Sequence, residues 1–562
     1  MAYKTLEHVM PEANAWKVFY ERNKQAAYAT DSTRGTTPIY QKIDNLSAAK
    51  SAYGNIVYRK APSFLRQAEF YLGEDKFQTA VRAFLKKHEY ANAGWEDLVG
   101  EFEGASGKDL KEWGKEWVTK PGAPVIRVGI GVTQFAEGMP VRPQDQICCV
   151  LEDELWQLPM LLRVFIRTPN DQSTTLTARF SGDYRMAENS SGEIFLGEPA
   201  IPRPAFFFPN YGDYGYGIFL LDDKSRDYVL KHIGEEKDPF LRSMMWGALW
   251  DSVREAELDP REYVELVIKQ LPTEPDETTT ASLLGRTSTA MNYYLDTTTR
   301  DRIAPQLEAI LLDRMQRATT AGQRITFYRA FVGSASTEHG RTVLKQMLRE
   351  GGNPSVSAGA QRSSDPTSRT LPNGRVSASS VAAFGSAMVL RTKDKFDIVT
   401  RLIVLGDQDA PKLLADLEKT ETSDDAKRYA YAAHAAFATA DNRAKLWSDF
   451  VNNKDISESW IEAAIGPFNS IRHADLSQPY LERSLKELPN LKRTRKIFFV
   501  NNWLGAWLSG QRDEKALAVV NKFLADNPQL DNDLRLKILE NLDVIERAVK
   551  IRARWNKDVT TK

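Results

Sequence analysis

Around Pro121-Gly122-Ala123-Pro124 the spacing of apolar residues changes from helical to alternating, and near Phe219 it changes back. Before the Pro/Gly break, Phe64, Leu65, Ala68, Tyr71 and Leu72 fall on one helical face. Gly73-Glu74-Asp75 interrupts the pattern, and Phe77, Val81, Phe84 and Leu85 resume it. Trp95–Phe102 and Leu110–Val118 read as further short helices. After the break, Val125–Val128, Ile147–Leu151, Leu161–Ile166 and Ser173–Phe180 read as short strands separated by Gly, Pro, Asn and Asp clusters, the spacing of an all-β sandwich. From about Asp222 onward helical stripes return, including Leu241–Val253, Tyr263–Leu271, Arg300–Ala318, Ala321–Val332, Lys395–Leu405, Ala426–Ala438, Trp460–Ala464, Arg495–Leu508 and Lys515–Leu524. A chain of 562 residues exceeds one hydrophobic core. The expectation is therefore three domains: a helical region over 1–120, a β-sandwich over 121–219, and over 220–562 a superhelix of paired helices of the HEAT or armadillo kind. Asn353–Ala387, rich in Ser, Ala, Gly, Pro, Thr and Arg, has no helical stripe and is expected to be a disordered loop within it.

Charge and composition exclude several classes. Lys plus Arg (75) equals Asp plus Glu (75), so no net field draws the chain to nucleic acid or an anionic membrane. The two cysteines, Cys148 and Cys149, are adjacent, which excludes a disulfide framework and a multi-cysteine zinc site. No apolar run is long enough for a membrane span, and the N-terminus lacks the basic and apolar regions of a secretion signal. If Met1 is a genuine start, the expected location is cytoplasmic. Yet Tyr3, Leu6, Val9 and Met10 form a helical face that starts without a cap and stops at Pro11, which suggests sequence upstream. His8, His88, His232, His339, His434 and His473 are too scattered for a His-Glu-x-x-His helix, and no Walker A loop or Gly-x-Ser-x-Gly elbow occurs. Gly212, Gly215 and Gly217, alternating with Tyr and Asp, read as turns rather than a phosphate loop.

Several segments in order carry a resemblance. Ala52-Tyr53-Gly54-Asn55-Ile56-Val57-Tyr58-Arg59-Lys60-Ala61-Pro62 is followed by Tyr71-Leu72-Gly73-Glu74-Asp75-Lys76-Phe77 and His88-Glu89-Tyr90-Ala91-Asn92-Ala93. Then come Trp95-Glu96-Asp97-Leu98, Ala105-Ser106-Gly107-Lys108 and Trp117-Val118-Thr119-Lys120-Pro121-Gly122-Ala123-Pro124. This series resembles the C-terminal part of the catalytic domain of M1-family (gluzincin) zinc aminopeptidases, aminopeptidase N-like. Leu155-Trp156-Gln157-Leu158-Pro159 resembles the family's sandwich domain. Asn210-Tyr211-Gly212-Asp213-Tyr214-Gly215-Tyr216 resembles the junction into its helical domain, Trp246-Gly247-Ala248-Leu249-Trp250-Asp251 an early superhelix segment, and Lys395-Phe396-Asp397-Ile398 with Gly406-Asp407 later repeats.

The resemblance implies a helical remnant of a thermolysin-like domain, a β-sandwich and a superhelix, and peptides as substrates. It makes Tyr58 the catalytic tyrosine, whose phenol stabilises the oxyanion formed when zinc-bound water attacks the scissile carbonyl. It makes Tyr53 a candidate near the substrate. One departure bears on Tyr58: Ala61 stands where the family has Gly, and Pro62 follows it, so the local backbone and the aim of the phenol are at issue. The family's zinc ligands, general base and Gly-x-Met-Glu-Asn substrate loop have no counterpart; Met186-Ala187-Glu188-Asn189 has the wrong order. Hence zinc belongs to the full-length family, none is expected on this chain alone, and the chain is expected to be inactive unless a separate half supplies the metal site. The other reading is a non-catalytic helical-repeat module that binds peptides or a protein partner. For residues 1–120 an exposed apolar face is expected.

Overall fold

A computed structural model describes residues 1–130, 147–151, 160–167, 173–180, 206–350 and 390–556. Leu155–Pro159, Met186–Asn189 and Asn353–Ala387 lie outside them. The chain forms two compact units, Met1–Asp259 and Pro260–Lys562. Both expected boundaries, at 120/121 and 219/220, fall inside the first unit. The fold is mostly helical.

In the first unit, the apolar stripes read from the sequence form helices Ala61–Leu72, Glu74–Lys87, Trp95–Ser106 and Lys111–Thr119. Gly73, with φ +88, makes the break between the first two, and Glu74 and Asp75 follow in the next helix's first turn, where carboxylates favour the helix dipole. Phe64, Phe77, Phe102, Trp113 and Trp117 meet in the core, with Phe64 and Trp113 rings 4.9 Å apart. Burying each such ring contributes on the order of 1.5–3 kcal/mol.

Six strands are described: β1 Val125–Ile130, β2 Ile147–Leu151, β3 Met160–Arg167, β4 Ser173–Phe180, β5 Phe206–Phe208 and β6 Ile218–Leu221. They make two three-stranded sheets, ordered β2-β1-β6 and β4-β3-β5. Cys148 and Cys149 sit side by side in β2, opposite Gly129 and Val128 of β1. β6 pairs parallel with β1, Val125 opposite Ile218, and all four of its residues are buried, as a parallel strand covered on both faces requires. From β6 the chain enters helix Asp223–His232 and then helix Pro239–Arg254, capped by Asp238. Nearly every residue of that second helix from Leu241 to Arg254 is buried. Gly247 lies at its contact with Tyr20; a Cβ there would come within 1.9 Å of the tyrosine hydroxyl, so only glycine permits this approach.

The second unit is helical throughout its described part. Several of its helices begin where Asp, Ser or Thr precedes an apolar stripe. Asp276, Asp296, Thr320, Ser423, Thr439 and Asp513 each accept a hydrogen bond from a first-turn backbone N–H. Its late helices close on a core containing Phe450, Phe468, Trp503, Leu504, Trp507 and Ile538. Among the described residues no helix is long and apolar enough to cross a membrane.

Candidate functional site

Tyr58 lies in a π-helical turn, Ile56–Lys60, that runs straight into helix Ala61–Leu72. Pro62 gives a physical reason for the wide turn. It has no N–H for the carbonyl four residues back, which is that of Tyr58, and its ring would clash with that carbonyl in a regular helix. The Ala61 N–H instead reaches back to Ile56 O. The departure noticed in the sequence thus coincides with a local change of helical pitch at the candidate residue.

Both flanks of the turn are anchored. Asn55 Nδ2 donates to Thr30 Oγ1 at 2.8 Å, and Arg59 Nη1 donates to Arg22 O at 3.1 Å. Ser63 Oγ donates to Arg59 O at 2.7 Å. Lys60, 1% exposed, pairs with Asp31 Oδ2 at 2.8 Å and donates to Gly122 O at 2.7 Å. Asp31 also accepts from Thr36 Oγ1 at 2.6 Å, the Gly122 N–H at 3.0 Å and the Tyr216 hydroxyl at 3.1 Å. Burial pushes the Lys60 ammonium below its usual range, against the pull of Asp31. It also raises the Tyr216 phenol well above its usual value, with the Asp31 carboxylate adding to the rise.

A second π turn, Tyr20–Lys24, carries the companion ion pair. Lys24, fully buried, meets Asp213 Oδ1 at 2.9 Å and donates to the carbonyls of Asp213 (2.9 Å) and Gly215 (2.7 Å). Burial pushes the ammonium down to about 8 and pushes the Asp213 carboxyl up, each against the attraction of the other. Beside them Arg66 donates to Gly212 O at 2.7 Å and stacks over the Trp16 ring at 3.7 Å. Asn210, Gly212 and Asp213 adopt positive φ. The Gly/Tyr run is therefore a set of turns whose carbonyls receive buried cations.

Against this anchored background Tyr58 is 61% exposed, and its hydroxyl makes no hydrogen bond to a described residue. Tyr53, 55% exposed, meets it edge to face with ring centroids 5.7 Å apart. The structure thus brings the two tyrosines singled out in the sequence together on an open surface. Val9, Met10, Tyr40, Ile43, Leu46, Leu85 and Tyr90 are exposed in the same unit. No three His, Cys, Asp or Glu side chains among the described residues are arranged to hold a metal ion, so the zinc of the family finds no fitting donor set in them.

Residues 1–117 match the family model of the peptidase family M1 domain, and residues 206–378 match that of the ERAP1-like C-terminal domain. Aminopeptidase N of Streptomyces lividans is 26% identical over 557 residues, 96% of this chain and 59% of that protein. This chain is M1 aminopeptidase-like. Leucyl aminopeptidase of Saccharolobus solfataricus is 28% identical over 166 residues, 29% of this chain and 20% of that protein. Probable aminopeptidase 1 of Sulfurisphaera tokodaii is 35% identical over 130 residues, 23% of this chain and 16% of that protein. The M1-like chain therefore spans less than two thirds of each of these relatives.

Sequence reasoning missed the buried polar groups that position the tyrosine turn. One signal was available: Lys17, Glu21, Lys24 and Asp31 recur at helical spacing, and all four are buried. Charges at positions where a core-facing stripe belongs mark an internal ion-pair network, and Lys17 does meet Glu21 at 3.1 Å.

Proposed function

We propose that this chain is part of an M1-type zinc aminopeptidase, which removes N-terminal residues from peptides, and that Tyr58 is its transition-state hydrogen-bond donor. The observation that carries the reading is the state of Tyr58: an unengaged phenol held outward on a turn whose neighbour Lys60 is locked in the interior. An aimed neutral donor favours the carbonyl oxygen as it gains charge during attack on the peptide bond, and such donors contribute roughly 10²–10³ in rate. A phenol suits the task because it remains protonated at neutral pH. Tyr53, in edge contact, would steady the Tyr58 ring and border the peptide. The zinc of such an enzyme would be held by residues other than those described, among which no set of three His, Cys, Asp or Glu ligands is found.

In this reading the strands over 121–219 form the family's β-sandwich and the helices of the second unit its superhelix. A missing half would carry the metal site, and the chain on its own would be inactive. The exposed large apolar side chains of the first unit support that division, because separation from a packing partner leaves such groups uncovered. The test is the DNA sequence immediately upstream of the Met1 codon. A frame that runs on through a Glu and a His-Glu-x-x-His supports the proposal. Zinc-dependent aminopeptidase activity of the purified chain alone would contradict the expected inactivity.

A further inference from the structure

The second unit gathers five arginines where its early and late helices meet. Tyr293 Oη donates to Ser509 O at 2.7 Å, Arg512 donates to Asn292 O, Arg552 Nη1 donates to Leu295 O at 3.1 Å, and Asn556 Nδ2 donates to Tyr294 O at 2.9 Å. These bonds bind the Gly510–Asp513 loop and the end of helix Asn532–Trp555 to residues 292–295. Arg300 lies just beyond, in the first turn of helix Thr297–Arg317. From the other side, Arg401 Nε donates to Ala335 O at 3.0 Å, and the His473 ring meets Val404 O at 2.8 Å. That last contact places helix Thr392–Val404 beside the short turn Ile471–His473, which carries Arg472.

The cluster is short of counter-charge: among the described residues Asp301 and Glu308 are the carboxylates that act on its five guanidiniums. Among the described residues, no carboxylate lies within ion-pair distance of Arg401, Arg472, Arg512 or Arg552. Glu308, the buried acid nearby, is already occupied: it accepts from the Ser336 N–H at 2.7 Å, the Thr337 N–H at 3.1 Å and the Thr337 hydroxyl. Asp301 sits 3.5 Å from Arg300 Nε, which is shut off from solvent without a hydrogen bond. Arg472 makes no hydrogen bond to any described residue. Proximity and burial are strong enough to pull Arg401 down to about 9, by burial first and then by Arg472. Arg512 falls to about 10, by burial first and then by Arg552 and Arg300. Half-buried, like-charged groups held this way destabilise a fold unless an anion joins them. All five remain partly exposed, so a solute can reach them.

We propose that Arg300, Arg401, Arg472, Arg512 and Arg552 form a binding site for an oxyanion, a phosphate or a carboxylate group, at the seam between the early and late helices of the second unit. Guanidinium forks match the paired oxygens of either group, and three of the five arginines are already oriented by bonds to backbone carbonyls. Arg472, with its donors free, is the main contact to the ligand.

The experiment is a calorimetric titration of the full chain with inorganic phosphate and, separately, with succinate, at constant ionic strength, for the wild type and Arg472→Met. The expected result is saturable binding of at least one anion, weakened roughly tenfold to a hundredfold in the variant. A preference for phosphate assigns the site to phosphoryl groups, and a preference for succinate assigns it to carboxylates. In anion-free buffer Arg472→Met should unfold at the same temperature as the wild type or higher, since one repelling charge is gone. The proposal is overturned if neither anion binds at about 10 mM, if the variant binds as the wild type does, or if the variant unfolds earlier without anion.

Discussion

In the first unit the buried lysines come with carboxylates, Lys24 with Asp213, Lys60 with Asp31 and Lys17 with Glu21, while aromatic and aliphatic side chains from Val9 to Tyr90 stand exposed. In the second unit the arrangement is reversed. Its apolar groups are gathered inside around Trp503 and Trp507, Ile325 and Phe498 being its exposed large hydrophobics among the described residues. Five of its arginines cluster around few carboxylates, Asp301 beside Arg300 and Glu308 nearby, and four of the five form no ion pair among the described residues. Packed helices gain stability from each apolar stripe they bury, and their geometry is averaged over many contacts. An ion pair sealed in a core adds little net stability but is very sensitive to position. The first unit therefore has the kind of interior that fixes one turn in one place, and that turn carries Tyr58.

The contrast can be broken most severely at Asp213. Asp213→Ala leaves the Lys24 ammonium buried without its carboxylate and should cost the first unit about 3–5 kcal/mol. Lys24→Met with Asp213→Leu should recover most of the loss. Hydrogen exchange in residues 61–119 reads this out, and equal destabilisation by the single and double variants would contradict it. The matching insult in the second unit is Trp507→Ala, which removes a fully buried ring and should cost about 3–5 kcal/mol there. Its effect on exchange should stay within residues 440–556.

A smaller effect comes from pH. Lys24 is pushed to about 8 in the folded chain from an ordinary 10.5. Between those values the unfolded chain keeps a proton that the folded chain has released. The group therefore makes stability rise with pH across that window and adds no slope below it. The gain is on the order of 3 kcal/mol at most. It should appear as a rising melting temperature of the wild type between pH 8 and 10, relative to the Lys24→Met/Asp213→Leu variant. A falling difference would show that Lys24 is not depressed. Smaller still is a helix cap: Asp513 accepts from the Ala516 N–H at 2.8 Å, and Asp513→Ala should cost about 1 kcal/mol by chemical denaturation.

How much of this was legible varies with the physics involved. The strands Ile147–Leu151 and Ser173–Phe180 have the bounds read from alternation, and helices such as Ala321–Ser334 begin where the stripe begins. Both follow from local patterns repeated over several residues. The cap residues were equally local. Tyr58 and Tyr53 were legible only through a family signature, since an exposed phenol has no pattern of its own. The two π turns of the first unit were hidden because one extra residue per turn does not disturb apolar spacing enough to be seen. Pro62 hinted at one of them, and nothing in the sequence of Tyr20–Lys24 marks the other. The Lys24–Asp213 pair joins residues 189 apart, and the arginine seam joins residues 292–300 to residues 472–552. Such meetings are set by tertiary packing and leave no trace in a local window.

Tyr58 is the residue whose exposure separates chemistry from stability. The decisive measurement is kcat and KM for release of the N-terminal residue from a chromogenic aminoacyl substrate, using protein expressed from the uninterrupted reading frame, with wild type and Tyr58→Phe side by side. The expected result is a kcat lower by roughly 10²–10³ with KM little changed, because the phenol is proposed to act on the transition state. The melting temperature should be unmoved, since a substitution at so exposed a position shifts stability by less than about 0.5 kcal/mol. A Tyr58→Phe enzyme with kcat within about twofold of wild type, folded or not as stably, would contradict the assignment.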